Sequence, residues 1–317
     1  VRADSDTIAP GAATISLSTH QGNQDVEYVS SQFNLFWNTD VLGFENNFVF
    51  GLEFTDESVS NGVYNIEYAN PTNCVTSGRR GDAGAYCILD GEGNEVSNIS
   101  QLMGRTYSDD YDDAVMNIET VSLYMMDTFK INEQLDLYYG ARLDSFDYSN
   151  DTLSRDVETA YEYSDTMYNG NIGLIYDLSE DVNVYANYST ATNINGGESD
   201  LGASCGYGGV CGSADQVPDS DPERVENIEI GTKFMALDDK FMFTASLFQI
   251  TKRDVMESVG DDDYAALGTL NTGENKVKGI EIGFVGDITE QLSVQFSATS
   301  MDAEVIDSIT ESSIGLT

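Results

Sequence analysis

Apolar residues recur along this chain at every second position. In 182–189, Val182, Val184, Ala186 and Tyr188 fall on one face, and Asn183, Tyr185, Asn187 and Ser189 on the other. Phe44, Phe48, Phe50, Leu52 and Phe54 share a face opposite Glu45, Asn47, Gly51 and Glu53. Leu135, Leu137, Tyr139, Ala141 and Leu143 alternate with Asp136, Tyr138, Gly140, Arg142 and Asp144, and the pattern returns at Ile228–Ile230–Phe234 and Ile280–Ile282–Phe284. A period of two puts alternate side chains on opposite faces of a pleated strand, and no segment carries a helical stripe. The chain is all-β. The pattern predicts strands near 12–20, 26–37, 44–55, 116–130, 135–147, 160–177, 182–192, 223–236, 241–253, 274–288 and 292–304.

The connections alternate in length. Short turns are expected at 38–43, 131–134, 178–181, 237–240 and 288–291, and long polar stretches at 56–115, 148–159, 193–222 and 254–272. Many of the strands exceed the usual five or six residues and match what a tilted strand needs to cross a bilayer. Aromatic residues gather beside the short turns (Trp37, Phe44, Phe129, Tyr176, Phe234, Phe241), where an interfacial girdle belongs. A soluble β-sandwich also alternates apolar with polar residues. Strand length, the short-long alternation and the girdle favour an antiparallel transmembrane β-barrel segment with short periplasmic turns and long extracellular loops.

Composition narrows the chemistry. Among 317 residues, 55 Asp+Glu face 14 Lys+Arg, a net charge of −41, with much of the acid in the long loops. Nucleic acid is excluded as a partner, because binding phosphates needs a basic surface. The 10% aromatic content argues against a disordered acidic tail. No apolar run is long enough for a transmembrane helix, and residues 1–11 lack the basic-then-apolar order of a signal peptide, so the chain reads as a mature or internal piece. With one histidine (His20), no Gly-x-Ser-x-Gly elbow, no His-Glu-x-x-His and no phosphate loop, nothing points to an enzyme. Neither cofactor nor resident metal is expected. The acidic runs 109–113 and 261–263 lack the spacing of an EF-hand loop and could gather divalent cations only loosely. Four cysteines form two local pairs in polar loops, Cys74 with Cys87 and Cys205 with Cys211, which reads as two disulfides made in an oxidising compartment.

One ordered set of motifs is familiar. The stretch 222–233 (PERVENIEIGTK) resembles a signature of TonB-dependent outer-membrane receptors, and it continues through 243–255 (FTASLFQITKRDV) into 272–282 (TGENKVKGIEI). Residues 287–294 and 301–305 extend the likeness, and 139–146 (YGARLDSF) is similar to an upstream strand of that family. The similarity covers about 116–305, more loosely 26–55, and is nearest the siderophore-receptor branch, leaning to the catecholate type.

The resemblance implies a 22-strand barrel in the bacterial outer membrane, an N-terminal plug, and import of a ferric siderophore with energy supplied by TonB. Eleven predicted strands make about half such a barrel, so residues 1–317 read as a partial barrel domain without plug, TonB box or closing strand. The implied partners are the iron–siderophore complex, outer-membrane lipid, and the TonB complex engaged through the absent plug.

Ferric siderophores are often anionic and carry planar groups, so cations and tyrosines near the long loops are the candidate contacts. Lys252, Lys276 and Lys278 are placed on the polar face at the outer mouth, with Tyr161 and Tyr163 on a neighbouring strand. Arg142 sits lower, and Arg79, Arg80 and Tyr86 lie in the longest loop. The competing account is that these bases pair with the surplus acids. The competing class is a secreted or surface acidic β-protein, an adhesin or a cation- or ligand-binding module.

Overall fold

The two-residue period becomes antiparallel strands of unusual length. The computed structural model describes residues 14–16, 23–41, 43–68, 85–87, 105–154, 157–197, 205, 209–237, 240–289 and 291–316. Its strands are β1 (Thr14–Ser16), β2 (Asn23–Val41), β3 (Phe44–Tyr68), β4 (Ala85–Cys87), β5 (Arg105–Asn132), β6 (Leu135–Ser154), β7 (Val157–Ser179), β8 (Val182–Asn193), β9 (Glu223–Ala236), β10 (Phe241–Met256), β11 (Asn271–Thr289) and β12 (Leu292–Asp307). Ten of them form one open sheet in the order β12-β11-β10-β9-β8-β7-β6-β5-β3-β2. Strands adjacent in this sheet follow one another along the chain except that β3 pairs with β5; the pairs β6–β7, β7–β8, β8–β9, β9–β10, β10–β11 and β11–β12 are antiparallel, some across tight connections and others, such as β8–β9 and β10–β11, across long ones. The chain divides into two compact units, Val1–Asp25 with Ser60–Ala114 and Val26–Val59 with Val115–Thr317.

All five short turns fall where alternation breaks, but two expectations need correcting. Of the strand expected over 12–20, only Thr14–Ser16 (β1, paired with β4 in a two-stranded sheet) fall among the described residues, whereas the stretch 56–115, expected as loop, is strand at both ends, since β3 runs to Tyr68 and β5 starts at Arg105. The stretch 148–159 was expected as a long loop. Instead β6 and β7 continue through it as a hairpin, paired as far as Ser154 and Val157. The reason is physical. Beyond the bilayer neither face of a strand meets lipid, so the outer ends keep their ladder bonds while losing the apolar alternation that marks a strand.

The register fixes which residues share a face. Phe234, Phe243, Phe284 and Phe296 are successive cross-strand partners on β9 to β12. Four residues further out, Ile230, Leu247 and Ile280 form a parallel row. These side chains have no covering layer: Leu247 is 61% exposed. A continuous exposed apolar surface marks an interaction face, and on a sheet of this length that face suits hydrocarbon. Further out, the same face becomes polar, with Gln249 beside Lys278 and Asp302, then Thr251 beside Lys276 and Glu304.

The opposite, polar face carries most of the buried side chains of the described strands. Three aromatic–glycine pairs recur there as direct cross-strand partners: Tyr138 with Gly173, Tyr185 with Gly231, and Phe248 with Gly279. Each ring reaches over its glycine, occupying the space a Cβ would take. Gly173→Ala should therefore cost about 1–3 kcal/mol, the usual penalty of overpacking, by lifting the Tyr138 ring off the sheet. Adding Tyr138→Ala should restore most of that loss in a double-mutant cycle of unfolding midpoints; additive losses would contradict the contact.

Candidate functional site: the polar face and its outer loops

Arg142 stands at the middle of the polar face in a network of its own. Its Nη1 lies 3.0 Å from Glu53 Oε2, its Nε 2.7 Å from Asp144 Oδ1, and its Nη2 donates to Ser122 Oγ at 2.7 Å. Its guanidinium also lies 5.4 Å from the centre of the Tyr124 ring, within cation–π range. The hydroxyl of Tyr124 bonds to Gln32 and Asn34. With both carboxylates taken, Arg142 ties β3, β5 and β6 together.

Toward the loops the polar face is covered by the chain's own connections. Asn195, only 2% exposed, acts as a clasp. Its amide donates to Cys211 O (2.9 Å) and Ser220 Oγ (3.2 Å), and its Oδ1 accepts from Cys211 N (2.8 Å). The Asn195 carbonyl in turn accepts from Tyr163 Oη at 2.8 Å. Gly196 follows at φ +70°, a left-handed turn that suits glycine. Burial raises the Tyr163 phenol well above its ordinary pKa, so it remains a neutral donor. The Tyr163 ring packs edge-on against Phe146 and tilted against Tyr148.

Beside the clasp, Cys205 and Cys211 form the expected disulfide (S–S 2.05 Å). Cys211, Met256, Val259 and Leu270 make a small apolar core, with Cys205, Tyr264 and Ile309 packed against it. Lys252 pairs with the buried Glu223 at 2.6 Å. Glu223 also accepts from Met256 N (3.0 Å) and Asn193 Nδ2 (3.3 Å). Glu257 takes three donors, from Thr272, Ser308 and the backbone of Ile309. Asn271 bridges the carbonyls of Asp221 and Asp254. These bonds knit the described parts of the 194–222 and 257–270 connections and the 308–316 segment into one assembly.

The acidic run 261–263 begins a short helix, α1 (Asp261–Leu267), whose N-terminus favours negative side chains and accounts for them without a cation. Among the described residues no group of His, Cys, Asp or Glu is arranged to hold a metal.

The sequence-derived candidates thus separate. Arg142, Tyr163 and Lys252 lie on the polar face, each engaged by neighbours, and Tyr161 shares that face as the register partner of Asn150. Lys276 and Lys278 do not belong with them. Their register puts them on the face of Ile280 and Ile282, and this corrects the expectation of a polar-face position. The reason is that Lys276 and Lys278 lie an even number of residues from Ile280, beyond the apolar rows of the same face. Arg79, Arg80 and Cys74 fall outside the described residues. Tyr86 and Cys87 fall in β4, whose side chains also lie outside them. Sequence reasoning missed Asn195, Glu223 and Glu257. Only the Asn-Gly-Gly turn at 195–197 carried a local signal, and it marks a turn rather than its partners.

Comparison with known proteins gives a consistent picture. The chain is 26% identical over 290 residues to "Probable TonB-dependent siderophore receptor PiuA" of Acinetobacter baumannii, covering 89% of this chain and 36% of that protein. It is 28% identical over 209 residues to "Catecholate siderophore receptor Fiu" of Escherichia coli K12, covering 59% of this chain and 26% of that one. The chain therefore spans about a third of the length of these relatives or less. Among solved structures, the closed form of the Fiu import receptor superposes with a TM-score of 0.66 at 25% identity, covering 90% of this chain and 38% of that one. The PiuA structure superposes with a TM-score of 0.72 at 21% identity, covering 94% and 42%. The family model for the TonB dependent receptor-like beta-barrel matches residues 2–312, and the chain belongs to that family.

Proposed function

We propose that this chain is the barrel portion, over residues 1–317, of an outer-membrane receptor that binds a ferric siderophore outside the cell and imports it with TonB-supplied energy. The observation that carries this reading is the asymmetry of the ten-stranded sheet. One face offers uncovered rows such as Ile230–Leu247–Ile280 to lipid. The other is polar and roofed at its outer end by folded loops. Such a wall separates hydrocarbon from a hydrated lumen. The relatives described as siderophore receptors support the cargo class.

In this reading the loop assembly around Asn195 frames the outer mouth, while Tyr161, Arg79, Arg80 and Tyr86 are left to meet cargo. Arg142 and Lys252 act there by positioning the wall and the loops. The siderophore docks outside, and its passage inward depends on a plug coupled to TonB.

The test is uptake of radioactive iron, supplied as ferric chelates, by cells whose only siderophore receptor is the full-length protein. Accumulation that stops when TonB is deleted is expected. Equal accumulation without the receptor, or with TonB absent, would contradict the proposal. A protein that partitions into detergent-free buffer would instead favour the acidic surface module.

A further inference from the structure

We infer that the lipid-side face of β9 to β11, just beyond its apolar rows, is a docking surface for the phosphate groups of lipid headgroups in the outer leaflet. The inference rests on the receptor reading above, which sets this face in the membrane with the long loops outside.

Acidic residues outnumber basic ones 55 to 14 in this chain, yet four of the basic residues gather at one place. Arg224 on β9 and Arg253 on β10 are direct register partners. Lys276 and Lys278 follow on β11, opposite Thr251 and Gln249 of β10. All four share the parity of Ile230, Leu247 and Ile280, and so belong to the lipid-side face.

Their height follows from the length of the strands. An apolar band about 25 Å tall takes about ten residues of a strand tilted by about 40°. Phe241 and Gly286 are partners beside the short turns, and a band of that height beginning there ends near Thr251 and Lys276, which are partners again. Arg224 and Arg253 lie just beyond this level. Lys278 lies just within it, where its long apolar stem lets the ammonium reach the headgroups. Tyr188, the partner of Ile228 on the same face and 39% exposed, stands near the same edge, as interfacial tyrosines do.

The pairing of these cations suits an added anion. Two arginines directly opposite across an antiparallel pair repel each other. Arg253 lies 3.3 Å from Glu226 and Arg224 4.0 Å from Asp254, and the two arginine side chains remain 53% and 71% exposed. Exposed ion pairs of this kind contribute little. Asp302 and Glu304 are the register partners of Lys278 and Lys276, but no ion pair among the described residues joins them. A phosphate between the strands would take paired, charge-assisted hydrogen bonds from guanidinium groups and point charge from the ammonium groups. Because carboxylates share the patch, its attraction for phosphate is short-ranged. It acts on a headgroup that the bilayer already holds beside it, not on phosphate free in solution.

The experiment measures binding of a fluorescent, doubly phosphorylated lipid A to the purified full-length receptor in micelles of an uncharged detergent. Saturable binding is expected, displaced by the unlabelled phosphorylated lipid but not by its dephosphorylated form or by the same concentration of inorganic phosphate. Arg253→Gln together with Lys276→Gln should weaken binding about ten-fold or more, and Lys276→Arg should keep it. Lys233→Gln together with Lys240→Gln removes the same charge near the short turns and should change nothing. Variants are compared only where the barrel keeps its heat-modifiable mobility on a gel. Unchanged binding in the Arg253–Lys276 variant, an equal loss in the Lys233–Lys240 variant, or displacement by inorganic phosphate would overturn the inference while leaving the receptor reading intact. A full-length protein that stays in buffer without detergent would contradict the receptor reading, and the inference with it.

Discussion

A full-length receptor carrying Leu247→Arg should be about 2–4 kcal/mol less stable in lipid than the unmodified protein, the cost of a cation at mid-depth on the lipid face of a barrel. Leu247 lies between Ile230 and Ile280, with the Phe234–Phe243–Phe284–Phe296 row toward the short turns and the Gln249–Lys278–Asp302 row beyond it. The cost arises because hydrocarbon solvates neither the guanidinium nor its hydrogen-bond donors. Its neighbour on the polar face supplies the control. Ser246→Arg puts the same side chain among Glu281 and Glu229 in the hydrated lumen, and should cost well under half as much. Urea or guanidinium unfolding of the two variants in lipid vesicles gives the comparison. Equal losses would mean that the two faces do not differ in solvent.

Asn195→Ala should release the outer loops without unfolding the sheet. Truncation leaves the buried N–H and carbonyl of Cys211 without partners, at about 1–3 kcal/mol for each unsatisfied group. Loss of that size exceeds what local contacts hold against opening, so the effect belongs to the loop assembly rather than to global stability. Backbone amides in 194–197 and 209–222 should exchange about ten-fold or more faster, while those of β9 and β10 keep their protection. Asn195→Asp is a sharper probe, because it keeps the Oδ1 acceptor for Cys211 N and loses the amide donor to Cys211 O and Ser220. It should give an intermediate rate. Unchanged exchange in both variants would show that the disulfide and the Leu270 core hold the loops alone.

The strands were legible wherever one face meets lipid and the other water. Phe44 to Phe54, Leu135 to Leu143 and Ile280 to Phe284 alternate because a bilayer imposes the period, and the five short turns fall where it breaks. Legibility ended where that constraint ended. Tyr148 to Ser154 and Val157 to Thr159 are largely polar on both sides, so they looked like loop although their ladder is complete. Face assignments failed for the same reason. Lys276 and Lys278 are hydrophilic, which suggested the lumen, but parity with Ile280 puts them on the outer surface beyond the apolar rows. Side-chain partners were the least visible. Asn195 meets Cys211 and Ser220, and Glu257 meets Ser308 and Ile309, through chain separations that no local pattern encodes. The idea that bases would pair with surplus acids was correct for Arg142 and Lys252, and charge balance alone suggested it.

The central claim is that the ten-stranded sheet has one face in lipid and the other in a hydrated lumen. Single cysteines placed in turn at positions 243 to 248 of the full-length receptor, spin-labelled in lipid vesicles, report this residue by residue. Labels at Phe243→Cys, Ala245→Cys and Leu247→Cys should collide with oxygen dissolved in the bilayer, and labels at Thr244→Cys, Ser246→Cys and Phe248→Cys with a water-soluble nickel complex. An alternation of period two across the six positions is the predicted result. Equal access of the nickel complex to all six would contradict the claim and make the sheet a soluble one.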